Sequence, residues 1–213
     1  MHEIVTEQNI KSICTRLSKR DEHIGRILKT YGVPPLWDRD PTFATLVHII
    51  LEQQVSLASV LSAFNRLRGK IVEISPENIL ELTDTEMRSC YFSRQKMGYA
   101  RNLADAIGSG SLDLENLHGL HDQDVKKELK KIKGIGDWTA DIYLLMAMLR
   151  KDVMPKGDLA LHSAYQKLMK LEKPPKSDEF VEIAKKWKPY RSVAARLLWH
   201  FYLSEKEKNS KTS

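Results

Sequence analysis

The stretch LKKIKGIGDWTADIYLLMAMLRKDVMPKGDLAL, residues 129–161, decides how the 213-residue chain is read. Two glycines, Gly134 and Gly136, stand between two helical patterns, and after the second helix a Pro/Gly loop delivers one carboxylate, Asp158. Glycine admits positive φ and close backbone approach, and the helix that follows points its first amides outward. The segment Lys133-Gly134-Ile135-Gly136 therefore has the makings of an anion seat. Lys126, Lys127, Lys130, Lys131 and Lys133 raise the local potential for a phosphate chain. The same residues also fit a plainer reading, a glycine C-cap beside a solvated lysine face.

Working outward, apolar residues recur at helical spacing along the whole chain. Ile10, Ile13 and Leu17 mark one helix, and Ile24, Ile27, Leu28 and Tyr31 a second, before Gly32 and Pro34-Pro35 break the pattern. Phe43, Leu46, Val47, Ile50 and Leu51 form the next face, ending at Glu52-Gln53-Gln54. Leu57, Val60, Leu61, Phe64 and Leu67 read as the core face of the helix after it. Ser75-Pro76 and the capping box Thr83/Glu86 start two short helices, residues 93–107 a longer one, and residues 122–132 lead into the glycine hairpin. Trp138, Ile142, Leu145, Met146 and Leu149 follow, then residues 159–171, a helix capped by Ser177, and residues 190–203. No stretch alternates with period two. The expectation is an all-α fold of about ten helices, one domain over residues 1–204 in two helical lobes around a cleft, with a polar, disordered tail at 205–213.

The totals narrow the function classes. A net charge of +6 favours a polyanionic partner. Two cysteines, Cys14 and Cys90, supply neither a disulfide framework nor the ligands of an iron–sulfur cluster. The N-terminus lacks the apolar core of a signal peptide, and the longest apolar run, residues 142–149, is too short to span a bilayer. A soluble intracellular protein, cytoplasmic, nucleoid-associated or nuclear, is expected, with no membrane partner.

The string Ile132-Lys133-Gly134-Ile135-Gly136-Asp137-Trp138-Thr139-Ala140 resembles the helix-hairpin-helix of the DNA glycosylase superfamily that includes endonuclease III and the alkylbase glycosylases. That superfamily places an aspartate in a Gly/Pro-containing loop after the hairpin's second helix, and Asp158 lies there, 20 residues after Trp138. Asp158 also reads simply as the N-cap of the helix beginning at Leu159, and the two roles are compatible. A capping carboxylate is stabilised in its ionised form, which a reaction through a positively charged sugar requires. In bifunctional relatives a lysine attacks the sugar from just after the hairpin. Trp138 stands at that place here, which implies a monofunctional enzyme that leaves an abasic site without cutting the strand.

The segment Trp187-Lys188-Pro189-Tyr190-Arg191-Ser192 with Trp199 looks like the C-terminal signature of 3-methyladenine DNA glycosylase II. The branch implies removal of alkylated purines such as 3-methyladenine and 7-methylguanine. A base that already carries positive charge needs no general acid and is recognised by electron-rich rings. Trp138, Tyr143 and Trp199 are the candidate walls of the base pocket, with core packing the alternative for each. Gln54 matches the family's wedge, which fills the gap a flipped nucleotide leaves, and otherwise is a solvated helix end. The implied partner is double-stranded DNA with a damaged base, bound by a monomer through Lys133, Gly134, Ile135 and Gly136. No cofactor or metal is expected beyond a structural monovalent cation at the hairpin, which the sequence leaves open. The rival readings are a glycosylase for an oxidised, deaminated or mismatched base, and a non-catalytic DNA-binding module.

Overall fold

The computed structural model describes residues 3–211. Among the described residues there are twelve α-helices, and the β-type pairing is one isolated antiparallel bridge, Ile4 with Arg150. The all-helical class is as expected. The chain divides into two compact units. One contains the chain up to Asp38 and again from Leu149 onward, and the other is Arg39–Met148.

In chain order, α1 (Ile10–Arg20) and α2 (Glu22–Tyr31) open the discontinuous unit. The contiguous unit follows as α3 (Phe43–Glu52), α4 (Leu57–Lys70), α5 (Pro76–Glu81), α6 (Asp84–Ser89), α7 (Arg94–Gly108), α8 (Asp122–Lys130) and α9 (Asp137–Ile142). The chain then returns as α10 (Leu159–Met169), α11 (Ser177–Ile183) and α12 (Arg191–Lys211). The Thr83/Glu86 capping box is formed, whereas Ser177 is the first residue of α11 and not its cap.

The contiguous unit is built on α3, whose Phe43, Leu46, Val47, Ile49, Ile50 and Leu51 are all buried. A helix apolar on nearly every side belongs in a core, and each large aliphatic side chain so buried contributes about 1.5–3 kcal/mol. The helices α7 and α9 pack against it. One expected core face is narrower than it looked. In α4 Val60, Ala63 and Leu67 are buried and Phe64 is half-buried, stacked on His48 of α3, while Leu57 and Leu61 are 63% and 57% exposed. After Ile142 the helix widens into a π-helical turn, Tyr143–Ala147, closed by the Met148 amide on the Tyr143 carbonyl at 3.0 Å.

The discontinuous unit is built on α12, packed by α1, α2 and α10. Its N-terminal half buries Ser192 to Leu198 without a break, including Arg196, which has no accessible surface. That guanidinium is used up inside the unit: Nε donates to the Leu36 carbonyl at 2.7 Å and Nη1 to the Ser192 carbonyl at 3.3 Å. Burial draws its pKa down to about 10, with the charge of Asp38 acting the other way. The tail expected to be disordered from Glu205 is instead the last two turns of α12 as far as Lys211, and residues 212–213 lie outside the described residues. The Tyr31 hydroxyl on α2 donates to Glu205 at 2.5 Å, and Lys208 sits over the Tyr31 ring, so a polar sequence is held helical by a neighbouring aromatic. Among the described residues no helix is long and apolar enough to cross a membrane.

Candidate active site

The hairpin lies in the contiguous unit. Val125 and Leu129 of α8, with Ile132, Ile135 and Ala140, sink its apolar side into the core and leave Lys133 and Gly136 exposed. The two glycines serve different ends. Gly134 has φ +109°, and a Cβ there would fall 2.2 Å from the ring of Tyr99 on α7, so only glycine fits. Gly136, expected to need positive φ as well, has φ −98° and is the exposed N-cap of α9, where a Cβ would meet nothing within 4 Å. What glycine provides at that position is an uncovered backbone. The Asn102 side chain donates to the Lys133 carbonyl at 3.2 Å and fixes the turn from below.

The expected lysine face is largely neutralised. Lys126 pairs with Asp141 at 2.8 Å, Lys130 with Asp137 at 2.7 Å and Lys131 with Glu128 at 2.5 Å. The first two contacts brace α8 against α9 and the third lies within α8 and its C-cap, so any attraction of the hairpin for an anion would rest on its backbone and on Lys133 more than on a lysine array. Trp138, in the first turn of α9, is half-buried. Tyr143 departs from its expected place as a pocket wall. It has no accessible surface, its hydroxyl is buried without a hydrogen-bond partner, and burial pushes the phenol pKa up. As placed it offers no face to a ligand and belongs to the core.

The turn between α3 and α4 carries both glutamines. Gln54 is exposed with φ +58°, a left-handed conformation uncommon for a side chain of its kind. Its neighbour Gln53, which the sequence did not single out, is half-buried and reaches the hairpin. Its Nε2 donates to the Gly134 carbonyl and to Thr139 Oγ1, each at 2.9 Å. Lys96 Nζ, from α7, donates to the Leu51 carbonyl at 2.6 Å at the end of α3.

The candidate carboxylate belongs to the discontinuous unit, and the loop that delivers it is anchored at each step. The Val5 amide donates to the Leu149 carbonyl at 2.8 Å. The Ser192 hydroxyl donates to the Arg150 carbonyl at 2.6 Å and accepts from the Val153 amide at 2.9 Å. Arg191 holds both oxygens of Asp152, at 2.8 and 3.0 Å. Gly157, at φ +79°, turns the chain into Asp158.

Asp158 is the N-cap of α10 and only 8% exposed. Its Oδ1 accepts from the Leu161 amide at 2.9 Å and from the indole N–H of Trp199 at 3.1 Å. Cap and candidate carboxylate are therefore one group, oriented by a helix start on one side and a tryptophan on the other. Trp199 is itself 8% exposed and meets Trp37 edge to face, with ring centroids 6.5 Å apart. Trp37 is half-buried, has φ +49°, and was missed because it sits in an irregular segment with no periodic signal. Buried Arg196 grips the carbonyl just before it, on Leu36. His162, one turn beyond Asp158, is buried against Phe180, with ring centroids 4.9 Å apart. Burial lowers its pKa, while the Asp158 charge and the Pro175 carbonyl oppose the shift. Among the described residues no group of three or more His, Cys, Asp or Glu is arranged to hold a metal ion.

Residues 47–189 match the HhH-GPD superfamily of base excision DNA repair proteins. The chain belongs to that superfamily. DNA-3-methyladenine glycosylase 1 of Schizosaccharomyces pombe is 30% identical to this HhH-GPD protein over 206 residues, which cover 92% of this chain and 89% of that one. The solved structure of a 3-methyladenine DNA glycosylase from the same yeast, in complex with abasic DNA, superposes with a TM-score of 0.82 at 29% identity, covering 88% and 95% of the two chains. A DNA-3-methyladenine glycosidase from Bacillus halodurans gives a TM-score of 0.73 at 26% identity, covering 98% and 95%. The HhH-GPD match begins inside α3 and ends two residues before α12, so it includes the glutamine turn, the hairpin and Asp158, and leaves out Trp37 and Trp199.

Proposed function

We propose that this HhH-GPD protein is a monofunctional DNA glycosylase that binds damaged double-stranded DNA as a monomer and releases N-alkylated purines such as 3-methyladenine and 7-methylguanine. The observation that carries the chemistry is Asp158, a carboxylate held by the Leu161 amide and the Trp199 indole. The names of the relatives support the substrate class, and the yeast complex contains abasic DNA, the product such a reaction leaves.

In this reading the hairpin backbone from Gly134 through Ile135 to the exposed Gly136, with Lys133, holds the phosphate chain, and Gln54 fills the space vacated by the flipped nucleotide. The damaged base is received beside the carboxylate by Trp199, with Trp37 added as a second aromatic of the same unit. The C1′–N bond breaks with its electron pair going to the base, which a cationic purine accepts without a proton donor. Asp158 faces the positive charge that develops on the sugar and takes the proton of the water that adds to C1′. The products are the free base and an abasic site. With Trp138 in place of an amine, no covalent enzyme–sugar adduct forms.

The test is excision from duplexes carrying 3-methyladenine, 7-methylguanine, ethenoadenine, uracil or 8-oxoguanine, with the released bases identified separately and borohydride added in parallel. Release of alkylated purines without a trapped adduct is expected. Release of uracil or 8-oxoguanine alone would overturn the substrate class, and a trapped adduct would overturn the monofunctional mechanism.

A further inference from the structure

The sequence reading gave a task to Gln54 and none to Gln53. In the structure the two adjacent side chains divide the work of the α3–α4 turn. Gln54 is exposed in a left-handed conformation, and Gln53 reaches across to the hairpin, more than 80 residues away in sequence, with two hydrogen bonds from one nitrogen. Both N–H groups of that nitrogen are spent, one on the Gly134 carbonyl and one on Thr139 Oγ1. These acceptors flank the part of the hairpin whose backbone is uncovered.

The rest of the neighbourhood supplies the frame for this strut. A single helix, α7, holds the end of α3 through Lys96 on the Leu51 carbonyl and the hairpin through Asn102 on the Lys133 carbonyl, while Tyr99 fills the space against Gly134. Gln53 is the one side chain among these that joins the turn to the hairpin directly. A residue held in left-handed backbone costs free energy unless its surroundings determine it, and Gln53, immediately before Gln54, is the nearest fixed point.

We propose that Gln53 is a positioning residue that couples the hairpin's hold on a DNA backbone to the presentation of Gln54, so that gripping the phosphates sets the wedge at the height needed for base flipping. The inference rests on the glycosylase reading above. It assigns Gln53 to the flipping step, as distinct from backbone binding and from the bond cleavage at Asp158.

The test is single-turnover excision of 7-methylguanine by Gln53→Met, which keeps the length of the side chain and removes its donors. Two substrates separate the steps: a duplex with the lesion paired to cytosine, and one with the lesion opposite an abasic site, where little pairing has to be broken to flip it. Relative to wild type, the expected result is a loss of about 10-fold on the paired substrate and less than about 3-fold on the unpaired one, with affinity for undamaged duplex within about 2-fold. Thr139→Val, which removes one of the two acceptors and keeps the shape of the side chain, is expected to give a smaller ratio in the same direction. It keeps the test open should Gln53→Met fail to fold. Equal losses on both substrates, no loss on either, or a loss of duplex affinity that accounts for the whole effect would overturn the proposal. If wild type releases no alkylated purine from either substrate, the functional reading fails first, and that outcome is scored before any variant is compared.

Discussion

Alanine at the two hairpin glycines should produce opposite failures. At Gly134 the backbone has φ +109°, and a Cβ would lie 2.2 to 2.6 Å from three atoms of Tyr99. A non-glycine residue held in a disfavoured backbone region costs about 1–3 kcal/mol. Forcing a methyl group into a filled space costs about another 1–3 kcal/mol. Gly134→Ala is therefore expected to lose about 2–6 kcal/mol, a large share of the ~5–15 kcal/mol that holds a typical domain together. At Gly136 the backbone is already ordinary for alanine and the space is empty. Gly136→Ala should change stability by less than about 1 kcal/mol, because the freedom lost by the unfolded chain is offset by alanine's poorer fit at the N-cap of α9. On the proposed reading its methyl group would, however, stand where a phosphate backbone comes close. Urea unfolding followed by fluorescence measures the first effect, and titration of a fluorescein-labelled duplex by anisotropy measures the second. Refutation would come from a fully stable Gly134→Ala, or from Gly136→Ala binding duplex as tightly as wild type, since the hairpin would then not be the contact surface.

Asp158→Asn keeps an N-cap of comparable quality and removes the charge, so thermal unfolding should move little while excision falls by about 100-fold or more with duplex binding intact; excision within about 3-fold of wild type would remove the basis of the mechanism. Trp199→Phe deletes the indole donor to Asp158 and keeps an aromatic ring beside Trp37. A hydrogen bond to a charged group is worth about 1.5–3 kcal/mol, so the single-turnover rate should drop by about 10- to 100-fold, and an unchanged rate would show that the contact does not orient the carboxylate. Acid should weaken the fold through two histidines. Burial lowers the pKa of His48, with Glu52 opposing and Arg39 reinforcing, and burial likewise lowers that of His162. Below the ordinary value of 6.5 the unfolded chain takes up protons that the folded chain refuses, so this stability is present above pH 6.5 and is lost as pH falls through the lower folded values. Urea midpoints should fall between pH 7 and about 5, and His162→Leu should flatten that slope; a slope identical to wild type would exclude His162 as a contributor.

Much of the site was legible because its parts are local. A glycine pair between two amphipathic helices, a capping aspartate after a Pro/Gly loop, and the Thr83/Glu86 box are each decided within a few residues; the two caps are formed as read, and of the glycines only Gly134 takes the expected positive φ. The parts that were not legible depend on what lies opposite in space. Tyr143 has the composition of a pocket wall, but its burial is set by packing along the π-helical turn. The lysines of α8 look like a phosphate comb until Asp137 and Asp141 of the next helix are set beside them. Leu57 and Leu61 carry the right spacing for a core face on a helix that buries a narrower one. Trp37 gave no periodic signal, and Gln53 was overshadowed by its neighbour, because both act through partners about 80 or more positions away in sequence.

The split of the chain into a contiguous and a discontinuous unit also orders events during synthesis. Arg39–Met148 contains the hairpin partners described above, from the Gln53 strut to the α7 frame, and can close as soon as it has left the ribosome. The surroundings of Asp158 cannot, since Trp37 precedes that unit and Trp199 comes from the last helix. On the proposed reading, a nascent or prematurely terminated chain would acquire the hairpin before the surroundings of Asp158 are complete. Translation thus completes the surroundings of Asp158 last, with Trp199.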